Sequence, residues 1–285
     1  MAGGGEDLRE GNIWRYWLPG GREFGFVASD RWEEAESPVE GVRVHSYFLP
    51  EHRAAGLEVL RATTEALRLY ADLFGPYPYR DFRIVETRSK GGMEFPGFSY
   101  LTDEYYSQWP GNARSFLVYT TVHEVAHQWW YNIAGNDQVY EPWLDEALAD
   151  YCAWLFYRTQ RPDDAEWWWN SRVKRDLPSQ PVDANIYQFD DNMIYLLAVY
   201  RRGVLLFTDL EKQMGQPRLL SALRGYLYRQ AYRLGSSEEL LATLVRYAEG
   251  SLAPVLKPYL TAPLWLPPCA DRGERCFRSI GLQPR

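Results

Sequence analysis

Apolar and polar positions alternate through the first fifty residues, and from about position 113 they recur every three to four residues. The chain therefore divides by period before any motif is read. Ile13-Trp14-Arg15-Tyr16-Trp17 and Glu23-Phe24-Gly25-Phe26-Val27 read as two strands joined around Pro19-Gly20-Gly21, a hairpin with a Gly-rich turn. Val42, Val44, Ser46 and Phe48 carry the alternation on to Pro50. A two-stranded hairpin is marginal by itself, so this opening is expected to pack on something else. A helix is predicted from about His52 to Phe74, with Leu57, Leu60, Leu67, Ala71 and Phe74 on one face and Gly75-Pro76-Tyr77-Pro78 stopping it. A short strand follows around Arg83–Glu86, then a Gly-rich loop over 91–97 and a strand from Phe98 to Thr102. Helices are predicted over 113–133, 142–160, 191–214, 217–232 and 237–247, the last opened by a capping box of Ser236 and Glu239. Trp167-Trp168-Trp169 is too short a run to classify. Strands first and helices after is the order of an α+β fold.

Composition narrows the class. With 285 residues, 46% hydrophobic and 24% charged, the chain is globular and wholesale disorder is excluded. A net charge of -7 with no basic stripe argues against nucleic acid as a partner. No apolar run reaches the ~18 residues of a membrane span, and Met1-Ala2-Gly3-Gly4-Gly5 lacks a signal-peptide profile. Cys152 lies in a helical pattern, while Cys269 and Cys276 either close one small loop or stand as two thiols. The compartment stays open, tilted by that pair towards an extracytoplasmic setting.

The chemistry concentrates in His123-Glu124-Val125-Ala126-His127, which holds two of the four histidines. Residues four apart share a helix face, so both imidazoles can reach one zinc ion while Glu124 points beside it. A catalytic zinc needs three protein ligands and one open position. Glu146, with eighteen residues between it and His127, is the expected third ligand, one zinc per chain. That spacing lets one helix end near Ala134, turn through Gly135-Asn136-Asp137 and return antiparallel as a second. Asp150, one turn beyond Glu146, can accept from a ligand histidine's second nitrogen, or serve as a surface charge.

These residues resemble a family. His123-Glu124-x-x-His127 followed by Glu146-x-x-x-Asp150 looks like the gluzincin zinc metallopeptidases, and within them the membrane alanyl aminopeptidase and leukotriene hydrolase family. His127-Gln128-Trp129-Trp130 resembles that family's H-Q-W-aromatic continuation, and Gly91-Gly92-Met93-Glu94 resembles its G-x-M-E-N loop. Tyr200-Arg201-Arg202-Gly203 resembles its Y-x-K-G motif, with Tyr195 five residues before. Phe95 stands where the family usually has Asn, and Arg202 replaces its lysine. The resemblance spans roughly residues 12–250.

The resemblance implies a thermolysin-like zinc peptidase catalytic domain over 50–250. It implies a terminal hairpin over 1–49 as the remnant of a preceding β domain, a helix and irregular tail over 251–285, and a place in a longer protein. It implies peptide substrates, with Glu124 as general base and Tyr200 as donor to the oxyanion. Glu94 would pair with a substrate's free α-ammonium, so that only the first peptide bond reaches the metal. The backbone of Gly91, Gly92 and Met93 would run along the substrate as a strand edge. The leading expectation is thus a zinc aminopeptidase. Alternatives are an open-cleft endopeptidase and a non-catalytic domain that keeps the fold to bind a partner.

Overall fold

The computed structural model describes residues 1–174 and 177–261; the Cys269–Cys276 pairing and the irregular tail expected from Ala262 lie outside them. In the N-terminal part, β1 (Ala2–Gly3), β2 (Glu6–Glu10), β3 (Ile13–Trp17) and β4 (Phe26–Val27) form two small antiparallel pairs. The expected hairpin between 13–17 and 23–27 is not the one formed. β3 pairs with β2 across the two-residue turn Gly11-Asn12, Glu10 opposite Ile13, and β4 pairs with β1. Glu6-Asp7-Leu8-Arg9-Glu10 has a single apolar residue and so no strand signature; the tight turn, with Gly11 at φ +63°, decides the partner instead.

The main sheet contains β5 (Glu33–Val39), β6 (Val42–Phe48), β7 (Asp81–Thr87), β8 (Gly92–Phe95) and β9 (Phe98–Thr102), in the order β5-β6-β7-β9-β8. β6, β7 and β9 run parallel, while β5 and β8 are antiparallel edges. The sheet crosses the boundary drawn at residue 49/50, since β6 and β7 are hydrogen-bonded partners on either side of it. Their crossover is helix α1 (Arg53–Phe74), and a parallel pairing across a helix leaves no local trace in sequence. Buried Arg83 of β7 donates to the carbonyls of Gly3 and Gly5 and pairs with Asp7, which ties the N-terminal segment to this sheet. On α1 the predicted face holds for Leu60, Leu67 and Phe74, whereas Leu57 is exposed.

After the short α2 (Asp103–Ser107), helix α3 (Phe116–Ala126) runs through the core, capped by the Ser115 side chain accepting from the Val118 N–H. It stops seven residues before the predicted end. Tyr131, at φ +110°, turns the chain, and Asn132 Nδ2 caps the His127 carbonyl at 3.1 Å. Trp129 and Trp130 are buried against α1, meeting Tyr70 and Phe74 edge-on, so the tryptophans after His127 serve packing. β10 (Ala134–Gly135) leads to α4 (Trp143–Gln160), then α5 (Pro162–Arg172), whose buried Trp168 stacks with Trp154 of α4 and places the unclassified tryptophan run. The predicted helix over 191–214 is α6 (Asn192–Tyr195), a π-helical stretch from Leu196 to Arg202, and α7 (Gly203–Met214). α8 (Gln216–Gln230), β11 (Arg233–Leu234), α9 (Ser237–Tyr247) with its capping box, and α10 (Ala253–Leu256) complete the described chain. No helix among the described residues is long and apolar enough to cross a membrane.

Candidate metal centre and its cleft

α3 and α4 pack side by side and bring three donors to one point. His123 Nε2 lies 3.0 Å from His127 Nε2, and Glu146 Oε2 lies 3.2 and 3.4 Å from the two nitrogens. Tetrahedral ligands at zinc's bond lengths sit roughly 3.3 Å apart, so the spacing fits such an ion. Each imidazole is held by its other nitrogen: His123 Nδ1 lies 2.9 Å from Asp150 Oδ1, and His127 Nδ1 lies 3.0 Å from the Trp130 carbonyl. That leaves both Nε2 atoms aimed at the shared point, the arrangement that fixes tautomer and ring angle in metal sites. Asp150 is fully buried and also accepts from the Tyr119 hydroxyl at 2.6 Å, so it is no surface charge.

The electrostatics favour a cation. Glu94, Glu124, Asp145, Glu146 and Asp150 crowd two imidazoles. Burial works to lower the pKa of His123, yet Asp150 and Glu146 carry it up to about 9. Burial works to raise Glu146, and the two imidazoles more than reverse it. Burial, with the Glu146 charge beside it, pushes Asp145 up to about 7. A buried site that draws protons onto its histidines is one in which a dication can take their place.

Glu124 sits beside the donors, 4% exposed, with Oε2 lacking any hydrogen-bond partner. Burial first, and the Glu94 charge second, push its pKa up to about 8. Its carboxylate lies against the backbone of β8. A Cβ on Gly92 would meet Glu124 Oε1 at 2.1 Å, so a larger residue there would push the carboxylate from its place. β8 is a sheet edge, and Gly91, Gly92, Met93 and Glu94 line a cavity of about 470 Å³ shared with His123, Glu124, His127 and Glu146.

Glu94 is buried in that wall, its Oε1 accepting from Gln138 Nε2 at 2.8 Å, while Gln138 also donates to Asp145 Oδ2 at 2.7 Å. The turn after Glu94 is clamped from the end of α3. Gln128 donates to the Phe95 carbonyl at 3.1 Å and accepts from the Gly97 N–H at 2.9 Å, and Asn132 donates to the Glu94 carbonyl at 2.9 Å. Phe95 itself packs on Phe98 and Tyr100.

On the opposite wall the π-helical stretch presents Tyr200, whose ring stacks 5.7 Å from that of His123 at 19°. π-turns inside helices recur at functional sites. Burial and then the Glu146 charge raise the Tyr200 pKa far above its usual value, so the phenol stays a donor. Tyr195 lines the same cavity, edge-on to Tyr200. Arg202 points elsewhere, donating to the carbonyls of Pro178 and Pro258 and lying over Tyr259.

The structure thus brings together every residue singled out in the sequence for this site. It adds Gln138, Asn132, Tyr119 and Arg172. Gln138 and Asn132 sit in an aperiodic stretch and Arg172 closes α5, so none carries a motif. Tyr119, one helical turn before His123, could have been found from α-periodicity.

A second histidine–carboxylate grouping, Glu34, Glu36 and His45, lies on the sheet. There both ring nitrogens are taken: Nδ1 lies 2.7 Å from Glu34 and Nε2 lies 3.2 Å from Asp81, which also pairs with Arg43.

An α+β fold in which a helix-borne histidine pair and a glutamate from the next helix face a cleft beside a sheet edge defines a three-donor metal-site protein. The Peptidase family M1 domain matches residues 58–259, and the chain belongs to that family. It is 26% identical over 237 residues to Aminopeptidase M1-A of Oryza sativa subsp. japonica, covering 76% of this chain and 26% of that protein. It is likewise 26% identical over 236 residues to Endoplasmic reticulum aminopeptidase 1 of Mus musculus, covering 75% of this chain and 25% of that protein. The chain spans about a quarter of the length of these relatives. Its fold is similar to the crystal structure of the M1 zinc metallopeptidase E323A mutant from Deinococcus radiodurans, with a TM-score of 0.66 and 20% identity. That match covers 95% of this chain and 63% of that one.

Proposed function

We propose that this chain is a zinc aminopeptidase domain, with His123, His127 and Glu146 holding the ion. A zinc ion there supplies a Lewis acid that polarises a peptide carbonyl and acidifies water. Glu124, desolvated and with one oxygen unpartnered, takes the proton from the attacking water and returns it to the leaving amine; such help is worth ~10²–10⁴ in rate. Tyr200 keeps its proton and donates a hydrogen bond to the oxygen on which charge develops. The free edge of β8 aligns the peptide as an added strand. The observation that carries the exopeptidase reading is Glu94, a buried carboxylate held by Gln138 in the same cavity as the donors, where it suits a substrate's α-ammonium. The greater length of the relatives supports a place for this domain in a longer protein. The Cys269–Cys276 pair supports an extracytoplasmic setting.

The test uses zinc-loaded protein and one peptide in two forms, free and N-acetylated, with products read by mass spectrometry. Release of the first residue from the free form alone is expected, with turnover falling ~10²–10⁴-fold in Glu124→Gln while zinc is retained. Internal cuts in both forms would replace this reading with an endopeptidase, and full activity in Glu124→Gln would remove the base from Glu124.

A further inference from the structure

The hydrogen bonds behind His123 run in one direction. The Tyr119 hydroxyl donates to Asp150 Oδ1 at 2.6 Å, and His123 Nδ1 meets that same oxygen at 2.9 Å. Arg172 Nη2 in turn donates to the Tyr119 hydroxyl oxygen at 2.6 Å. A guanidinium has no acceptor, so the hydroxyl cannot turn its proton back to Arg172 and gives it to Asp150. Asp150, accepting from both sides, keeps a proton on His123 Nδ1, and Nε2 is then the nitrogen free to meet a cation. The one residue unable to accept sets the sense of the whole chain.

Asp150 needs this second hold. It is fully buried, and its Oδ2 makes no hydrogen bond, standing 3.6 Å from Arg172 Nη2 as an ion pair. The torsion that turns a carboxylate has broad wells, so one bonded through His123 alone would swing with the ring rather than fix it. Helix α5 supplies the support. Trp168 and Arg172, four residues apart on it, both face the Tyr119 ring: the guanidinium lies 4.0 Å from its centroid and the Trp168 ring 6.3 Å away at 58°. The buried tryptophan of the 167–169 run thus seats the helix whose last residue reaches Tyr119.

We propose that Tyr119 and Arg172 are positioning residues of the metal centre, acting on the ion through Asp150 and His123. Tyr119 holds the Asp150 carboxylate in the orientation that aims His123, and Arg172 fixes the direction in which Tyr119 donates. The inference rests on the zinc-site reading and adds to what that site requires a helix that offers no ligand of its own.

The test uses the full chain and the metal alone. Zinc affinity is read by competition with a chelator, and cobalt(II) bound in place of zinc reports ligand geometry through its visible spectrum. Tyr119→Phe keeps the ring and removes only the hydroxyl; it should weaken zinc binding about tenfold or more and change the cobalt spectrum. In an Asp150→Asn background the same substitution should cost about threefold or less, because the link it acts through is already broken. Arg172→Lys, which still can only donate, should keep more affinity than Arg172→Gln, whose amide oxygen can accept the hydroxyl proton and reverse the chain. Unchanged affinity in Tyr119→Phe overturns the proposal, as does a loss of equal size in both backgrounds or one with an unaltered cobalt spectrum. Arg172→Gln binding zinc as tightly as Arg172→Lys overturns the assigned direction, and this pair decides alone should Tyr119→Phe not fold. If the unsubstituted protein binds neither zinc nor cobalt, the metal-site reading itself falls; tight binding that ignores Tyr119 and Arg172 removes this proposal and leaves that reading standing.

Discussion

Among the described residues, the sheet and the α3–α4 pair each hold a cluster of histidine and carboxylate built from the same residue types, and of these two the helical one has the form of a metal site. On the sheet, His45 spends both ring nitrogens on Glu34 and Asp81, so no lone pair is left to meet a cation. Between α3 and α4, His123 and His127 each spend one nitrogen on an anchoring acceptor and turn the other to a common point. Each cluster has arginine beside a carboxylate, Arg43 on Asp81 and Arg172 by Asp150, but the helical one gathers more carboxylates around its imidazoles. Composition does not separate the two. The count of nitrogens already engaged does.

The largest test of that contrast removes a nitrogen from each cluster. His123→Ala should drop bound zinc from about one per chain to near none and take turnover with it. His45→Ala should leave the zinc content unchanged. Both are read by elemental analysis after gel filtration, and zinc loss in His45→Ala would break the distinction.

The anchors should matter less than the donors. Asp150→Asn is expected to weaken zinc affinity about 10–100-fold, read by competition with a chelator, while Asp81→Asn on the sheet leaves affinity unchanged.

The smallest effect concerns pH. Burial works to lower the pKa of His45, but its bonds to Asp81 and Glu34 raise it overall. The His45 bond lowers Glu34, and bonds to His45 and Arg43 lower Asp81 against the effect of burial. A raised histidine stabilises the fold below its unfolded pKa of about 6.5 and loses that contribution as pH rises through its folded value. The lowered carboxylates contribute above about 4 and lose it in acid. The cluster should therefore stabilise most between about pH 4 and 6.5. His45→Gln should cost about 0.5–1 kcal/mol at pH 5.5 and less at pH 9, measured by urea unfolding at both. A larger loss at pH 9 would mean that His45 is held neutral.

Much of the architecture is legible in the chain because it depends on local period and local caps. The Ser236–Glu239 capping box opens α9, and the histidine pair lies one helical turn apart on α3. What escapes is set by contacts between distant segments. β2 is nearly all polar and is a strand only because Gly11-Asn12 folds it onto β3. α3 ends early because Asn132 and a left-handed Tyr131 stop a pattern that the buried tryptophans would otherwise continue. The apolar tally puts Leu57 inward, yet packing leaves it outside. Within the site, residues held by helical spacing are readable, whereas Gln138 and Arg172 arrive from other elements without a periodic signature.

The clamp between Gln128, Asn132 and the turn after Glu94 has a mechanical consequence. The turn that ends the helix bearing His123 and His127 also grips the strand that carries Glu94, through three hydrogen bonds to backbone atoms. The gap between the donors and the Glu94 carboxylate is therefore spanned within one hydrogen-bonded piece. On the proposed aminopeptidase reading, that piece would act as a fixed-jaw caliper, its gap setting how far from the chain end the donors reach.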